Sequence, residues 1–291
     1  MPAKANLNTT TNMSALQARE IDFVSRFTRN WKALAQILGI MRPIRKTPGT
    51  VLKSLEVEFT SLAQSPAEGE EIPYSKPTYT PVSFQDLTVE KYAEATSIEA
   101  VAKYGAKLAV QKTDEAFLTK LQTLVMTRFY TFLATGSLTD TASTFQAAIA
   151  KAIGSVLNAF QVMNKDCTSI VVFVNTLDLY DYLGTAPVTL QNEFGLQYIK
   201  NFLGAETVIV TDKVASGTVI ATPVENIDLY YIDPNDSDFH ELGLEYRVEG
   251  ETNLIGFHAQ GDYQHAVGEC FALMGMALWA EYLNAIAVIS F

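Results

Sequence analysis

The sequence predicts an α+β fold in which a projecting hairpin stands apart from a packed body. Three observations lead there. Residues 55–59, "LEVEF", alternate apolar and acidic, and after the turn-rich "SPAEGEE" a second arm, "IPYSKPTYTPVSF", returns beside them; alternation with period two is the signature of a half-solvated strand. Residues 96–136 then carry the strongest helical periodicity in the chain. From about residue 140 to 235, helical stripes alternate with short β-branched runs, and the remainder to Phe291 reads mainly as strands.

Composition supports a large folded body. The chain has 291 residues and 48% hydrophobic content, enough for a substantial core. Its net charge of -11 is unevenly placed. Residues 1–53 hold nine Lys/Arg and two Asp/Glu, a net +7, which leaves -18 for the rest. A basic arm therefore precedes an acidic body, and such halves attract each other within a chain, between copies, or through the arm to nucleic acid. Cys167 and Cys270 have neither metal spacing nor a disulfide framework, which suits a reducing interior. The N-terminus, "MPAKANLNTTTNMSALQARE", lacks the apolar core of a signal peptide. Near the other end, "FALMGMALWAEYLNAIAVI" is apolar, but Glu281 and Asn284 interrupt it, so it reads as a buried core segment and not a membrane span.

Taken in order, residues 14–40 place Leu16 and, seven residues on, Phe23, Phe27, Trp31, Leu34 and Leu38 at spacings of three or four, with Arg19, Arg26, Arg29 and Lys32 between them. That is a basic amphipathic helix, stopped by Gly39 and Pro43. The hairpin follows. Pro73, Pro77 and Pro81 supply no backbone N–H, which excludes a central strand and leaves an edge strand or an extended arm. An isolated hairpin is marginal in water, so this one needs a surface to lie on. Thr96 with Glu99 makes a capping box, and Ile98, Val101, Gly105, Leu108 and Ala109 continue at helical spacing. Thr113, Asp114 and Glu115 look like a second helix start leading into Phe117, Leu121, Leu124, Arg128 and Phe132, so the pattern is one long helix broken near 112 or two consecutive ones, ended by Gly136.

Residues 143–160 repeat the capping logic through Ser143 and Gln146, with a stripe of Phe145, Ile149, Ile153, Val156 and Phe160. "SIVVFVN" is a buried strand, and Asn175 with Asp178 starts a short helix, "TLDLYDYL", closed by Gly184. A further helix is expected to end at Gly204, before the strands "TVIVTD", "TVIAT" and "VENIDLYYID". No repeat of fixed period is present.

Catalytic motifs are missing where an enzyme would need them. No two of the glycines stand within two residues of each other, so there is no dinucleotide fingerprint and no phosphate-cradling loop. HExxH, CxxC and GxSxG are absent too. His240, His258 and His265, with acidic neighbours Asp236, Asp238, Glu241 and Glu269, are the residues on which an α/β enzyme or ligand-binding protein would have to build a site. The run "DPNDSDF" at 233–239 has calcium-loop spacing, but Asp238 stands where that loop needs glycine and Leu244 where it needs its closing carboxylate, so it reads as a solvated turn.

Basic arm, acidic hairpin, long helix, α/β unit and strand-rich end, in this order, resemble the major capsid proteins of tailed bacteriophages, the Hong-Kong-97-type fold. The resemblance rests on "GEEIPYSK" followed by "SIEAVAKYGAKLAVQKTDEAFLTKLQ", on "IVVFVNTLDLYDYLG", on "LGAETVIVTDKVASGTVIATPVENIDLYYID" and on the final "LWAEYLNAIAVISF". It implies an N-terminal arm over 1–50 and an extended-loop hairpin over 51–90. A peripheral domain with its spine helix would cover 91–139, an axial domain 140–243, and a return to the peripheral domain 244–291. The extended loop would overlap a neighbouring subunit, which explains why the proline-studded stretch has no core of its own. Interface residues implied in this way are Arg26, Arg29, Trp31 and Lys32 of the arm, and Glu68, Glu70, Glu71, Tyr74 and Lys76 of the loop.

The same resemblance implies a non-enzymatic shell protein without cofactor or metal. Its pentamers and hexamers would enclose double-stranded DNA in an icosahedral head, contacting that DNA non-specifically at most. The arm before the hairpin has room for one helix, so a separate scaffolding protein is expected, with a portal and decoration proteins as further partners and no membrane. Lys53 and Lys76 lie where some members crosslink to asparagine, but neither matches specifically, and no covalent ladder is expected. An encapsulin-like nanocompartment shares the fold and is the alternative.

Overall fold

The computed structural model describes residues 40–59, 68–71, 74–167, 169–185, 191–193, 196–248 and 253–291. The expected basic amphipathic helix, with Arg26, Arg29, Trp31 and Lys32, lies outside the described residues. The chain opens with β1 (Met41–Lys46), the hairpin β2 (Val51–Phe59) and β3 (Pro77–Asp86), and β4 (Glu90–Ser97). Helices α1 (Ile98–Tyr104) and α2 (Ala106–Leu133) come next, then β5 (Leu138–Thr141), α3 (Phe145–Val162), β6 (Ile170–Asn175) and α4 (Thr176–Leu183). Strands β7 (Gln191–Glu193), β8 (Leu196–Phe202), β9 (Ala205–Thr211), β10 (Thr218–Pro223) and β11 (Ile227–Ile232) lead to the one-turn helix α5 (Ser237–Glu241). The last strands are β12 (Ile255–Asp262), β13 (Val267–Met274), β14 (Met276–Ala280) and β15 (Ala287–Ser290).

These strands form a seven-stranded sheet of order β5-β15-β10-β6-β9-β8-β7 and two three-stranded sheets, β12-β13-β4 and β1-β11-β14, while β2 and β3, among the described residues, pair with each other alone. Every residue of β6 is buried, because the seven-stranded sheet is covered on both faces, as its unbroken apolar run requires. On one face lies α3, whose Phe145, Ile149, Ile153, Val156 and Phe160 pack with Val172, Val174, Val208, Val219 and Ile289. On the other lies α2. Its Leu118, Leu121, Val125, Phe129 and Leu133 share one core with Val171, Phe173 and Ile220 of that sheet, with Phe257 and Ala272 of the β12-β13-β4 sheet, and with Ile227 and Leu229 of β11. Phe129 and Phe173 meet edge to face at 5.8 Å, a geometry favoured by aromatic quadrupoles.

Several local expectations hold and several shift. The α3 stripe is buried as its spacing predicts, and Asn175 caps α4 by accepting the Leu177 N–H at 2.8 Å. The caps of α1 and α3 fall one residue later than expected. Ser97, the last residue of β4 and paired opposite Val267, accepts the Ala100 N–H, and Thr144, not Ser143, accepts the Ala147 N–H. The break in the long helix is at Gly105, not near 112. Gly105 has φ 81, a conformation open to glycine at little cost, whereas Thr113 satisfies its hydroxyl on the Ala109 carbonyl in mid-helix. Of the expected α2 stripe, Leu121 is buried, whereas Phe117, Leu124, Arg128 and Phe132 are half-buried, and Leu118, Val125, Phe129 and Leu133 complete the buried face.

Two segments differ in kind. Residues 196–202 form strand β8, not the helix expected to end at Gly204. Leu203 and Gly204 both have positive φ (53 and 93) and close a two-residue hairpin with Phe202 opposite Ala205, the conformation that such hairpin turns require. Gly204 is therefore a turn residue, not a helix stop. Residues 41–46, beyond the Pro43 stop signal, form β1, which pairs in parallel with β11; Pro43 is tolerated because β1 is an edge strand. The C-terminal apolar segment folds as β13, β14 and β15, and no helix among the described residues is long and apolar enough to cross a membrane.

Since α2 joins three sheets, truncation within its stripe should be costly. Phe129→Ala is expected to destabilise the unassembled subunit by about 3–5 kcal/mol. Thr127→Ala, on the exposed side of the same helix, should change it by less than about 0.5 kcal/mol. Urea unfolding of both variants measures the difference.

Candidate functional site

The hairpin is the part of the chain that cannot bury itself. Strands β2 and β3 pair from Val51 opposite Asp86 to Phe59 opposite Pro77, with a register shift at Ser54/Leu55 that leaves one extra residue on β3 and so adds local twist. Nine residues of β2 reach roughly 30 Å. Val57 stands opposite Tyr79 and Phe59 opposite Pro77, which puts all four positions on one face of the ribbon. On that face Val57 is 49% exposed, Phe59 53% and Tyr79 63%. With no third strand or second layer over them among the described residues, these apolar side chains are exposed, which marks a candidate interaction surface.

At the tip, Glu68, Gly69 (φ 88), Glu70 and Glu71 make an exposed turn, followed by Tyr74, which is 96% exposed, and an exposed Lys76. All five loop residues expected at an interface are therefore on the surface, together at the far end of the ribbon. The "LEVEF" alternation had marked Val57 and Phe59 as the inward side of a strand. The three prolines nearby were the signal that no inward side would exist.

The ribbon stands on the outer face of the β1-β11-β14 sheet. Leu87, just past β3, donates its N–H to the Thr50 carbonyl at 3.2 Å and is buried with Ile232 and Ala277, flanked by Leu52, Val89 and Phe239. Arg42 of β1 binds Asp228 at 2.8 Å and Glu281 at 2.6 Å, and Arg45 binds Asp233 at 3.1 Å and Asp236 at 3.3 Å. Partial burial pushes the Glu281 carboxyl up, but hydrogen bonds from Tyr282 and Arg42 outweigh it and hold Glu281 below the usual range. Asp236 is likewise held down against its desolvation by the Asp238 N–H and Arg45. Two of the arm's cations are thus committed within their own chain.

A second clamp holds the segment leaving the hairpin. Arg128 of α2 makes two hydrogen bonds of 2.7 Å to the Glu90 carboxylate, a bidentate geometry suited to guanidinium, and the Tyr92 hydroxyl donates to the same carboxylate. Burial raises the Glu90 pKa, but the Arg128 and Tyr92 hydrogen bonds prevail and leave it lowered.

The histidines do not meet. His240 contacts Asn235, His258 lies in β12 opposite Phe271, and His265 pairs with Asp262 in the β12–β13 turn. Among the described residues, one group of three metal-ligating side chains converges. Glu94, Asp114 and Cys270 have ligand atoms within 4.8 Å of one another. Three donors fall one short of a closed four-ligand zinc site, and the group includes none of the histidines. Both cysteines are free thiols.

Solved structures share this architecture. The mature capsid of bacteriophage PhiM1 matches with TM-score 0.59 and 5% identity over 87% of this chain and 85% of that one. The chain has the Hong-Kong-97-type capsid fold. A structure from Mycobacterium phage Che8 matches at 0.55 and 14% identity, covering 83% of this chain and 84% of that one. The SrpI encapsulin of Synechococcus elongatus matches at 0.53 and 12% identity, covering 88% and 86%. No protein-family model and no curated protein matches the sequence. What is shared is the Hong-Kong-97-type backbone path.

The Glu90 clamp has a definite pH sign. Its pKa is lower folded than unfolded, so its stabilisation is present above the unfolded glutamate value, about 4.3, and is lost as pH falls through the folded value. Glu90→Gln should therefore lower the urea midpoint at pH 7, and the gap from the unsubstituted protein should close as pH drops below about 4.

Proposed function

We propose that this protein is the major capsid protein of a tailed bacteriophage, assembling through pentamers and hexamers into the icosahedral head shell that encloses double-stranded DNA. The observation that carries this reading is a roughly 30 Å ribbon that exposes Val57, Phe59, Tyr79 and Tyr74 on a body with the Hong-Kong-97-type fold. Such a ribbon is stable only against another surface, and a second copy supplies one. In this reading residues 51–90 are the extended loop and 91–139 the peripheral domain with α1 and α2 as its spine. Residues 140–243 are the axial domain, and 244–291 return to the periphery. The protein is a component of the virion, put together in the bacterial cytoplasm on a separate scaffolding protein, with portal and decoration proteins as further partners.

A shell needs no catalysis and no cofactor. It also needs no strong single contact. A standard interface buries ~1,600 Å², and a subunit held in a closed lattice makes several at once, so modest contacts add to a durable shell. The match to an encapsulin favours one second reading, a nanocompartment enclosing a cargo protein in place of a genome.

Sedimentation of the purified protein, expressed with and without its neighbouring reading frames, followed by negative-stain imaging of each fast fraction, tests the class. Rings, tubes or icosahedral shells are expected; a monomer or dimer under every condition overturns it. Packaged nuclease-resistant DNA identifies a phage head, and a co-purifying protein inside the particles identifies a nanocompartment. Reversal of Arg26, Arg29 and Lys32 to glutamate should impair assembly if the arm docks on a neighbour's acidic surface. Salt-sensitive duplex binding by the arm would instead assign it to the packaged DNA.

A further inference from the structure

Strand β1 leads into the hairpin root, yet little apolar packing holds it. Of its six residues only Met41 is buried; Ile44 and Lys46 are half-buried, and Arg42, Pro43 and Arg45 are exposed. It pairs in parallel with β11, and Pro43 removes one backbone donor from the strand. Charge supplies the rest of the hold. Arg42 and Arg45 stand three apart, so they leave opposite faces of the strand. Arg42 reaches Asp228 and Glu281, and Arg45 reaches Asp233 and Asp236, just past the end of β11. The side chains of Asp228, Asp233 and Asp236 are 10%, 5% and 8% exposed, whereas those of Arg42 and Arg45 are 43% and 53% exposed. Each aspartate also accepts a hydrogen bond from the body itself: Asp228 from the Tyr230 hydroxyl at 3.4 Å, Asp233 from the Asn235 N–H at 2.9 Å, and Asp236 from the Asp238 N–H at 3.3 Å. The sockets therefore belong to the body, and the arginines enter them from outside.

We infer that residues 42–46 form a charge-locked strap that opens as one unit while the body stays folded, and that Arg42 and Arg45 are positioning residues for the hairpin. Nothing in this requires that the chain assemble. Both ends of the strap are anchored by other means. Before it, Ile40 and Met41 are buried in the core of α2, and the Ile40 carbonyl accepts the Glu225 N–H at 3.0 Å. After it, the Thr47–Thr50 turn, closed by the Thr50 hydroxyl on the Thr47 carbonyl at 2.7 Å, leads into β2, and the hairpin root is tied down by Leu87 and Leu52. With the strap shut, that turn holds the first residue of β2 at a fixed place beside the sheet. With it open, residues 42–50 become slack between the two anchors, and the ribbon can tilt about Leu87 with the α2 core intact. Local openings begin where few buried apolar contacts and exposed backbone hydrogen bonds coincide, and β1 is such a place. Trp279 reports on it, because Arg42 and Trp279 flank Asp228 in one cross-strand row.

Hydrogen exchange of the full chain as unassembled subunits, read by mass spectrometry, tests the lock. Arg42→Gln and Arg45→Gln should each speed exchange in 41–46 and 227–232 by about fivefold or more and leave β6 unchanged. Lys46→Gln removes a cation that has no carboxylate partner among the described residues, and it should change this exchange by less than about twofold. In a Trp31→Phe background Trp279 is the single tryptophan, and its quenching by acrylamide should rise with each arginine variant. In the unsubstituted protein, going from about 0.01 M to about 1 M salt cuts the screening length from about 30 Å to about 3 Å. That should speed exchange in β1, and the dependence should vanish when both arginines are replaced. For the hairpin, spin labels at Glu70→Cys and Thr127→Cys in a Cys167→Ala background should give a broader distance distribution when either arginine is replaced. Exchange in β1 that ignores both salt and the substitutions, or that rises only together with β6, overturns the strap. An unchanged distance distribution overturns the positioning role. The salt series needs no variant, so it decides the strap even where the double variant does not fold.

Discussion

Burial of one stripe on α2 is the constraint from which the rest of the structure follows. Leu118, Leu121, Val125, Phe129 and Leu133 pack in one core with strands of all three larger sheets. None of those sheets completes its core without the helix. At about 25 cal/mol per Å² of apolar surface removed from water, a stripe of this size is among the main contributions to stability. It also fixes where the seven-stranded sheet turns its second face, and there α3 completes the sandwich.

With the body closed in this way, none of the described elements covers the face of the hairpin that carries Val57, Phe59 and Tyr79. The ribbon is fastened at its root by Leu87 in a small cluster of its own and through Arg128 by the Glu90 carboxylate, so its direction is set by the body while its length is not packed by it. The prolines of β3 and the lack of a third strand keep it from joining any sheet.

Legibility in the sequence followed the range of the interactions. Patterns that report a local period were readable: the α3 stripe, the apolar run of β6, the Asn175 cap and the two arms of the hairpin. Patterns decided by distant contacts were not. The segment "LQYIKNFLG" has no local mark that distinguishes a helix ended by glycine from a strand turning at Leu203–Gly204; pairing with β9 decides it. β1 was hidden behind Pro43, since the strand it pairs with, β11, lies nearly two hundred residues away in sequence. The α2 stripe was read only in part, Leu121 being buried, because half-buried Phe117, Leu124 and Phe132 carry as much hydrophobicity as buried Leu118, Val125, Phe129 and Leu133.

By itself the sequence determined the coarse order of parts, a hairpin whose prolines keep it from a central strand, and the absence of the usual catalytic motifs, because composition and short-range spacing act wherever the chain goes. Only the tertiary structure decided which apolar residues remain uncovered. Val57, Phe59 and Tyr79 look like core residues in sequence and face water in the fold. Arg42 and Arg45 look like free arm charges and are spent on Asp228, Glu281, Asp233 and Asp236. Burial and ion pairing depend on what a residue meets across the fold, and that is settled only when α2 brings the three sheets together.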